Sequence, residues 1–168
     1  VKGLNEVSLD RTYFIKDSNL KIEELSFMNQ NKWDKMLKNC GVLFIRGEES
    51  MSRACLSGIP FVWHAYPQSD EYQLIKVRAL LERMSVHFKC EDFEIIEKVW
   101  ILINSAESEV EQEEFEKAIL EFFDNAEKLV YGFREFALDL RKNGDLCSNL
   151  MTFIKNKCIM VSNNRNLF

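Results

Sequence analysis

The length, composition and charge of this 168-residue chain exclude several classes of protein. Hydrophobic residues make up 46% and charged residues 29%, the balance of one globular domain with a single core, which excludes an intrinsically disordered chain. The formal net charge of −5 argues against non-specific binding to nucleic acid, and no apolar run approaches the roughly 20 residues of a membrane span.

The cysteines indicate a reducing compartment. They are odd in number, widely spaced and set in apolar surroundings, and none forms the CxxC or CxxH pair that would suggest zinc: Cys40, Cys55, Cys90, Cys147 and Cys158. The N-terminal residues show no signal-peptide pattern. We therefore expect a cytoplasmic protein with reduced thiols and no metal site.

The first 68 residues predict alternating strands and short helices. Residues 42–45 are four consecutive apolar residues, which favours a strand covered on both faces. Gly41 and Gly58 are expected to end the two short helices. A strand, a helix and a second strand at this spacing predict a right-handed parallel βαβ unit. The strands are predicted at residues 12–15, 20–27, 42–45 and 60–64, and the helices at residues 31–40 and 50–57.

Residues 69–168 show mainly helical periodicity, with apolar residues every three or four positions. Helices are predicted at residues 70–84, 91–104, 108–142 and about 145–157, the last one capped by Asp145. No repeat, low-complexity tract or linker divides the chain. We therefore expect one α/β domain over residues 1–168, with a β/α portion that holds the site at residues 1–68 and a mainly helical portion at residues 69–168.

Residues 41–68 hold three of the six glycines and both prolines, which concentrate where a backbone turns or approaches a ligand. Within this stretch, Arg46 directly follows a predicted strand and precedes a helix. Ligands of open α/β sheets bind beyond the carboxyl ends of strands, and helix N-termini favour phosphate. Arg46 can donate two hydrogen bonds to a phosphate, and Gly47 lets a ligand approach the backbone. Glu48 and Glu49 can accept hydrogen bonds from sugar hydroxyls, so the combination favours a nucleotide sugar over a bare nucleotide.

A purely structural interpretation of the same residues stays open. Ser50 would then cap the helix, and Glu48 and Glu49 would interact favourably with its positive end. Arg46 would form an ion pair with one of these two glutamates.

The stretch RGEES…RA..SGIPFVWHAYPQ closely resembles the RGEDS…RA…GKPFVWH-YPQ signature of the protein-arginine rhamnosyltransferases that modify translation elongation factor P. Upstream, four residues fit that family's F-x-x-Q-x-x-aromatic-D segment, namely Phe27, Gln30, Trp33 and Asp34. The resemblance is strong over residues 25–84, and beyond them only the helical character matches.

The resemblance implies a GT-B glycosyltransferase whose Rossmann-like C-terminal half, a parallel sheet followed by helices, binds dTDP-β-L-rhamnose. The sugar would pass with inversion to an arginine of elongation factor P, without a metal ion or other cofactor. Phe27 would pack on the thymine base, Gln30 would bond nearby, and Glu48 would be the most sensitive position. The implied donor-binding residues are Phe27, Gln30, Arg46, Gly47, Glu48, Glu49 and Ser50.

Two departures limit what the resemblance implies. Glu49 stands where the family has aspartate, which keeps the charge and lengthens the side chain. The family's candidate catalytic aspartates belong upstream of Val1, so Glu48 has only a supporting role in catalysis. We therefore expect a truncated, donor-binding half that is inactive alone.

Alternatives to this function are another GT-B transferase or a nucleotide-sugar epimerase with a similar phosphate turn. A non-enzymatic helical interaction module, with the acidic residues 107–127 as its partner surface, is a further alternative. His64, Tyr66 and Gln68 are expected to line the rim of the cleft or to fix its loop, with His64 in a structural role. His87 has no partner in sequence and is expected on the surface.

Overall fold

A computed structural model describes residues 9–14, 21–105 and 110–165, with side chains described from residue 21 to residue 157 within those ranges. The strands are β1 (Leu9–Phe14), β2 (Lys21–Leu25), β3 (Leu43–Ile45) and β4 (Phe61–Trp63). The helices are α1 (Gln30–Leu37), α2 (Glu48–Ser57), α3 (Tyr72–Ser85), α4 (Cys90–Asn104), α5 (Gln112–Asp124), α6 (Ala126–Lys142) and α7 (Leu146–Arg165), with a 3₁₀ turn at Ser69–Glu71.

The described strands form two two-stranded sheets. β1 pairs antiparallel with β2, and β3 pairs parallel with β4 so that Leu43 lies opposite Phe61 and Ile45 opposite Trp63. Helix α2 connects the two parallel strands, which confirms the predicted βαβ unit. The α/β class is confirmed as well, although the parallel sheet is small and most described residues are helical.

Strand β4 lies at the centre of the hydrophobic core. Phe61 and Val62 are fully buried and Trp63 is 3% exposed, so this strand is covered on both faces. The ring of Phe61 packs against Trp100 of α4 and Phe133 of α6, with centroid distances of 5.1 and 5.4 Å. Such tilted aromatic pairs contribute about 0.5–1.5 kcal/mol each beyond their buried area.

Helix α4 packs along the edge of β4 that is opposite to β3. The carbonyls of Phe61 and Trp63 point to that side because hydrogen-bonding groups alternate along a strand. The indole Nε1 of Trp100 donates to Phe61 O at 3.0 Å, and Nδ2 of Asn104 donates to Trp63 O at 2.7 Å. Trp100 and Asn104 lie one helical turn apart, so two side chains of one helix bond the carbonyls that a further strand would otherwise have paired.

The prediction that residues 42–45 form a strand covered on both faces is wrong for β3. Its residues alternate, with Leu43 and Ile45 buried and Phe44 44% exposed. Among the described residues β3 pairs only with β4, and Phe44 packs on Phe123 of α5 at 5.7 Å instead of entering the core.

Several predicted helix boundaries are corrected. Helix α1 ends at Leu37 with Lys38 as its C-cap, so Gly41 does not end it, whereas Gly58 ends α2 with a left-handed φ of 73° as predicted. The single helix predicted at residues 108–142 is two helices that meet at Asn125, and residues 106–109 lie outside the described part. The two helices pack on different partners, α5 on α4 and α6 on α2, which one straight helix would not reach.

The last helix begins where the sequence predicted. Asp145 Oδ1 accepts a hydrogen bond from Ser148 N at 2.9 Å, which is an N-cap, and α7 then continues to Arg165 rather than to residue 157. None of the described helices is long and apolar enough to cross a membrane.

The position expected for His87 is corrected. His87 is not on the surface: its side chain is 15% exposed, packs on Phe136 at 5.6 Å and lies 3.7 Å from Asp139 Oδ2. Helix α6 covers it, which sequence spacing did not reveal.

The cysteines with described side chains are free, as expected, and burial raises the pKa of Cys55 to about 12. Cys158 lies outside the described side chains.

The close approach of Phe88 to Gly132 gives a stability prediction. A Cβ on Gly132 would lie 2.3 Å from two ring carbons of Phe88, whose ring is also held edge-on by Phe133 at 5.1 Å. We expect Gly132→Ala to lower the free energy of unfolding by about 1–3 kcal/mol in urea titrations, despite the better helix propensity of alanine.

Gly41→Ala is the matched control for this substitution. A Cβ on Gly41 would have no atom within 4 Å, so we expect a change of less than about 0.5 kcal/mol. Equal stabilities of the two variants would show that the Phe88 ring moves aside freely.

Candidate functional site

The N-terminus of α2 presents unpaired backbone donors. Gly47 is the N-cap residue and offers no side-chain hydrogen bond, and the first intrahelical bond runs from Met51 N to Gly47 O at 2.9 Å. The amides of Glu48, Glu49 and Ser50 precede that bond and so have no partner within the helix. The structural interpretation of Ser50 as the cap is therefore wrong, since Ser50 is the third residue of α2.

Gly47 is not required by the local packing. Its φ is −67°, which any residue adopts, and a Cβ there would meet nothing closer than Ser50 Oγ at 3.9 Å. A side chain would therefore fit at this position, although it would hinder the approach of a ligand to these amides.

A cavity of about 410 Å³ lies between the loop after β2 and the first turns of α1 and α2. Four of the predicted site residues line it together, namely Phe27, Gln30, Glu49 and Ser50, with Trp33 and Arg53 completing its wall. Arg46, Gly47 and Glu48 precede these residues in the chain and do not line the cavity.

Of the two aromatic residues that line this cavity, Phe27 is fully exposed. Phe27 is 102% exposed, so it has no role in the core and its ring is free to contact a ligand. Gln30 is the first residue of α1, and its Nε2 donates to Asp34 Oδ1 at 3.0 Å.

Arg53 of α2 forms ion pairs with two carboxylates, one on α1 and one on its own helix. Its Nη1 donates to both oxygens of Asp34 at 2.9 and 3.1 Å, and its Nη2 donates to Glu49 Oε1 at 3.0 Å. These groups are partly or largely exposed, so solvent screening keeps the contribution of each pair to stability small. Their main effect is to fix the wall of the cavity and to compensate the charge of Glu49.

Arg46 has a different environment from the one that the structural interpretation expected. Its Cζ lies 4.9 Å from the ring centroid of Tyr66, and among the described residues no carboxylate forms a salt bridge with it. Glu48 pairs instead with Lys76 of α3, with Oε1 and Nζ 2.9 Å apart. The carbonyl of Arg46 accepts a hydrogen bond from Trp63 Nε1 at 2.8 Å, which ties its backbone to β4.

The backbone of His64 continues the pairing at the same edge of the sheet. Its amide donates to Ile45 O at 2.8 Å and extends the pairing of β4 with β3. Partial burial, and then the nearby positive charge of Arg46, lower the pKa of the imidazole, so it is neutral near pH 7. Among the described residues, no three His, Cys, Asp or Glu side chains come together to hold a metal ion.

The sequence missed the partners of the two glutamates. The pair of Glu49 with Arg53 has a sequence signal, because residues four apart on a helix are neighbours. The pair of Glu48 with Lys76 has no such sequence signal, since the two residues lie 28 positions apart and only the packing of α3 brings them together.

A known protein family matches most of the chain. The family described as Elongation-Factor P (EF-P) rhamnosyltransferase EarP matches residues 2–155. The chain belongs to this family. The sequence-based family prediction is therefore confirmed.

Curated relatives of the EarP family agree with this assignment. The chain is 31% identical over 146 residues to a protein-arginine rhamnosyltransferase of Shewanella oneidensis, covering 84% of this chain and 35% of the relative. It is 34% identical over 86 residues to a protein-arginine rhamnosyltransferase of Pseudomonas aeruginosa, covering 51% of this chain and 23% of the relative. The chain thus spans about a third of the length of the Shewanella relative.

A solved structure shares the fold. It is described as the structural basis for EarP-mediated arginine glycosylation of translation elongation factor EF-P, and it superposes with a TM-score of 0.72 at 21% identity. The superposition covers 89% of this chain and 44% of that chain. At this identity the likeness shows the fold alone.

The lowered pKa of His64 predicts how stability depends on pH. Unfolded His64 binds a proton near pH 6.5, whereas the folded residue binds one only at lower pH. The free energy of unfolding should therefore fall as the pH drops below about 6.5, and this part of the loss should end at the folded pKa.

The measurement is chemical unfolding of the wild type and of His64→Gln at several pH values between 7.5 and 5. The variant lacks the titrating group, so its stability should decline less steeply over this window. Parallel curves would mean that His64 titrates alike in both states.

Proposed function

We propose that the protein transfers rhamnose from dTDP-β-L-rhamnose to an arginine side chain of translation elongation factor P, with inversion at the sugar. In this proposal the chain supplies the donor-binding half. Membership of the EarP family and the names of the curated relatives support the reaction. The observation that carries the donor assignment is the uncapped N-terminus of α2 beside an arginine without a carboxylate partner among the described residues.

The charges around α2 favour a diphosphate. Glu48 pairs with Lys76 and Glu49 with Arg53, so the negative charge of both glutamates is compensated by other residues. Arg46 is exposed, has no carboxylate partner among the described residues, and lies two residues before the first turn of α2. A helix N-terminus with an adjacent arginine is a favourable arrangement for phosphate oxygens.

The cavity fits the nucleoside part of the donor. Its volume of about 410 Å³ falls within the roughly 300–1,000 Å³ of ordinary ligand pockets. The exposed ring of Phe27 offers a stacking surface for thymine, and the amide of Gln30 can bond to the base. Glu48 and Ser50 would accept hydrogen bonds from sugar hydroxyls near the diphosphate.

We assign this chain to the Rossmann-like C-terminal half of a GT-B enzyme, with the βαβ unit of β3, α2 and β4 as its donor-binding element. We do not assign Glu48 or Glu49 as the base that orients the acceptor guanidinium, because both are engaged in ion pairs. No metal ion or other cofactor is proposed, since Arg46 and the α2 amides supply the positive potential. A cytoplasmic location follows from the acceptor, a translation factor.

Substitutions of Arg46 and Glu48 test the donor site. We expect Arg46→Ala and Glu48→Ala to weaken binding of dTDP-rhamnose to the intact protein by at least about 10-fold in calorimetric titrations, because each removes a group that bonds the ligand. Circular dichroism should show an unchanged fold, since both side chains are exposed.

Lys76→Met is the matched control for Glu48→Ala. It removes the same salt bridge and leaves the Glu48 carboxylate in place without its compensating charge, so we expect donor affinity to fall by about 3-fold, less than in Glu48→Ala. Undiminished binding in both the Arg46 and the Glu48 variants would overturn the assignment of the site.

A thermal-shift screen of nucleotide sugars distinguishes the alternative functions. Stabilisation by UDP compounds rather than dTDP compounds would favour another GT-B transferase or an epimerase. The interaction-module alternative has little support, because charges on α5 already have partners in the chain, Glu113 with Lys117 of the same helix and Glu121 with Lys98 of α4.

A further inference from the structure

Two buried amide side chains hold the loop that follows β4. This β4–α3 loop comprises residues 64–71. Asn104 at the end of α4 is 4% exposed, and its Oδ1 accepts a hydrogen bond from the amide of Ala65 at 2.9 Å. Gln73 in the first turn of α3 is 8% exposed, and its Oε1 accepts one from the amide of Gln68 at 3.0 Å.

The Gln73 side chain is also bonded to the main chain of Asn104, and the Asn104 side chain to the core. Gln73 Nε2 donates to the carbonyl of Asn104 at 3.3 Å, and Asn104 Nδ2 donates to the carbonyls of Trp63 and Trp100, each at 2.7 Å. Buried polar groups are costly unless they are satisfied, so this network stabilises one arrangement of the loop and penalises others.

The same loop carries backbone strain at its other end. Asp70 and Glu71 are consecutive non-glycine residues with positive φ, 54° and 56°. Such conformations persist where the surrounding structure over-determines them. The β4–α3 loop is therefore fixed at Ala65 and Gln68 and constrained where it enters α3.

The loop presents Tyr66 between its two hydrogen-bonded positions. Tyr66 is 59% exposed and makes little contribution to the core, but its ring lies 4.9 Å from Cζ of Arg46. Arg46 is a long, exposed side chain, and the tyrosine ring restricts the positions that it occupies. A continuous series of contacts thus runs from Gln73 and Asn104 through the loop to the guanidinium.

We propose that Gln73 and Asn104 are positioning residues for the donor site, which hold Tyr66 against Arg46 so that the guanidinium is already oriented for the diphosphate. This inference rests on the proposed function. Neither amide contacts the ligand. Their effect is on affinity, because a side chain ordered before binding loses less conformational freedom on binding.

The test combines affinity for dTDP with amide hydrogen exchange in the intact protein. Gln73→Met keeps the length of the side chain and removes both of its hydrogen bonds. We expect dTDP binding about 3- to 10-fold weaker and faster exchange of the Gln68 amide, which has lost its acceptor. Ile96→Val, a fully buried substitution on α4, is the control for a general loss of stability and should leave both quantities unchanged.

A double-mutant cycle shows whether Gln73 acts through Tyr66. In a Tyr66→Ala background, Gln73→Met should weaken dTDP binding by less than about 2-fold, since the contact that it orders is already absent. A purely structural role would give the same factor in both backgrounds.

The outcomes separate this inference from the donor assignment. Unchanged affinity in Gln73→Met, unchanged Gln68 exchange, or equal factors in the two backgrounds would overturn the positioning role while dTDP binding by the wild type stands. Absence of dTDP binding by the wild type would overturn the proposed function, and the inference with it.

Discussion

The hydrogen bonds of strand β4 are the constraint on which the described core and the candidate site depend. Three residues, Phe61–Trp63, are buried on both faces, so every polar backbone group between them must find a partner inside the protein. On one side β3 supplies those partners. On the other side the indole of Trp100 and the amide of Asn104 donate from helix α4 to the carbonyls of Phe61 and Trp63. Directional hydrogen bonds, as well as packing, thereby fix the position of α4 relative to β4.

This arrangement explains why the site forms where it does. The indole of Trp63 holds the carbonyl of Arg46, so the first residue after β3 is tied to β4. The amide of Asn104 holds the first residues after β4 in turn. The residues that directly follow β3 and β4 are both held by hydrogen bonds from the core. The backbone that carries the side chains of the candidate site therefore has little freedom to move.

The electrostatics of α2 are compatible with the proposed anion site even though the net charge of the chain is −5. Two glutamates in the first turn favour the positive end of the helix but would repel a diphosphate. Lys76 and Arg53 compensate them from two different directions, and Arg46 is left facing an aromatic ring rather than a carboxylate. Charge balance within a few ångströms therefore matters more here than the sign of the whole chain.

The sequence by itself determined the features that depend on neighbouring residues. Gly58 ends a helix because it adopts a positive φ at little cost, Asp145 caps one through a bond three residues away, and the ordered motif around Arg46 identified the family. The sequence also placed Phe27, Gln30, Glu49 and Ser50 in one site, and these four residues line one cavity.

Only the tertiary structure decided the features that join distant parts of the chain. It paired Glu48 with Lys76, covered His87 with α6, divided the long predicted helix at Asn125 and gave Asn104 its partners some 40 residues away. Helical periodicity reports which face of a helix is apolar, but not which strand or loop lies against it. The partners that a buried amide or an exposed carboxylate finds on another element are set by how the elements pack, and local sequence carries no signal for that.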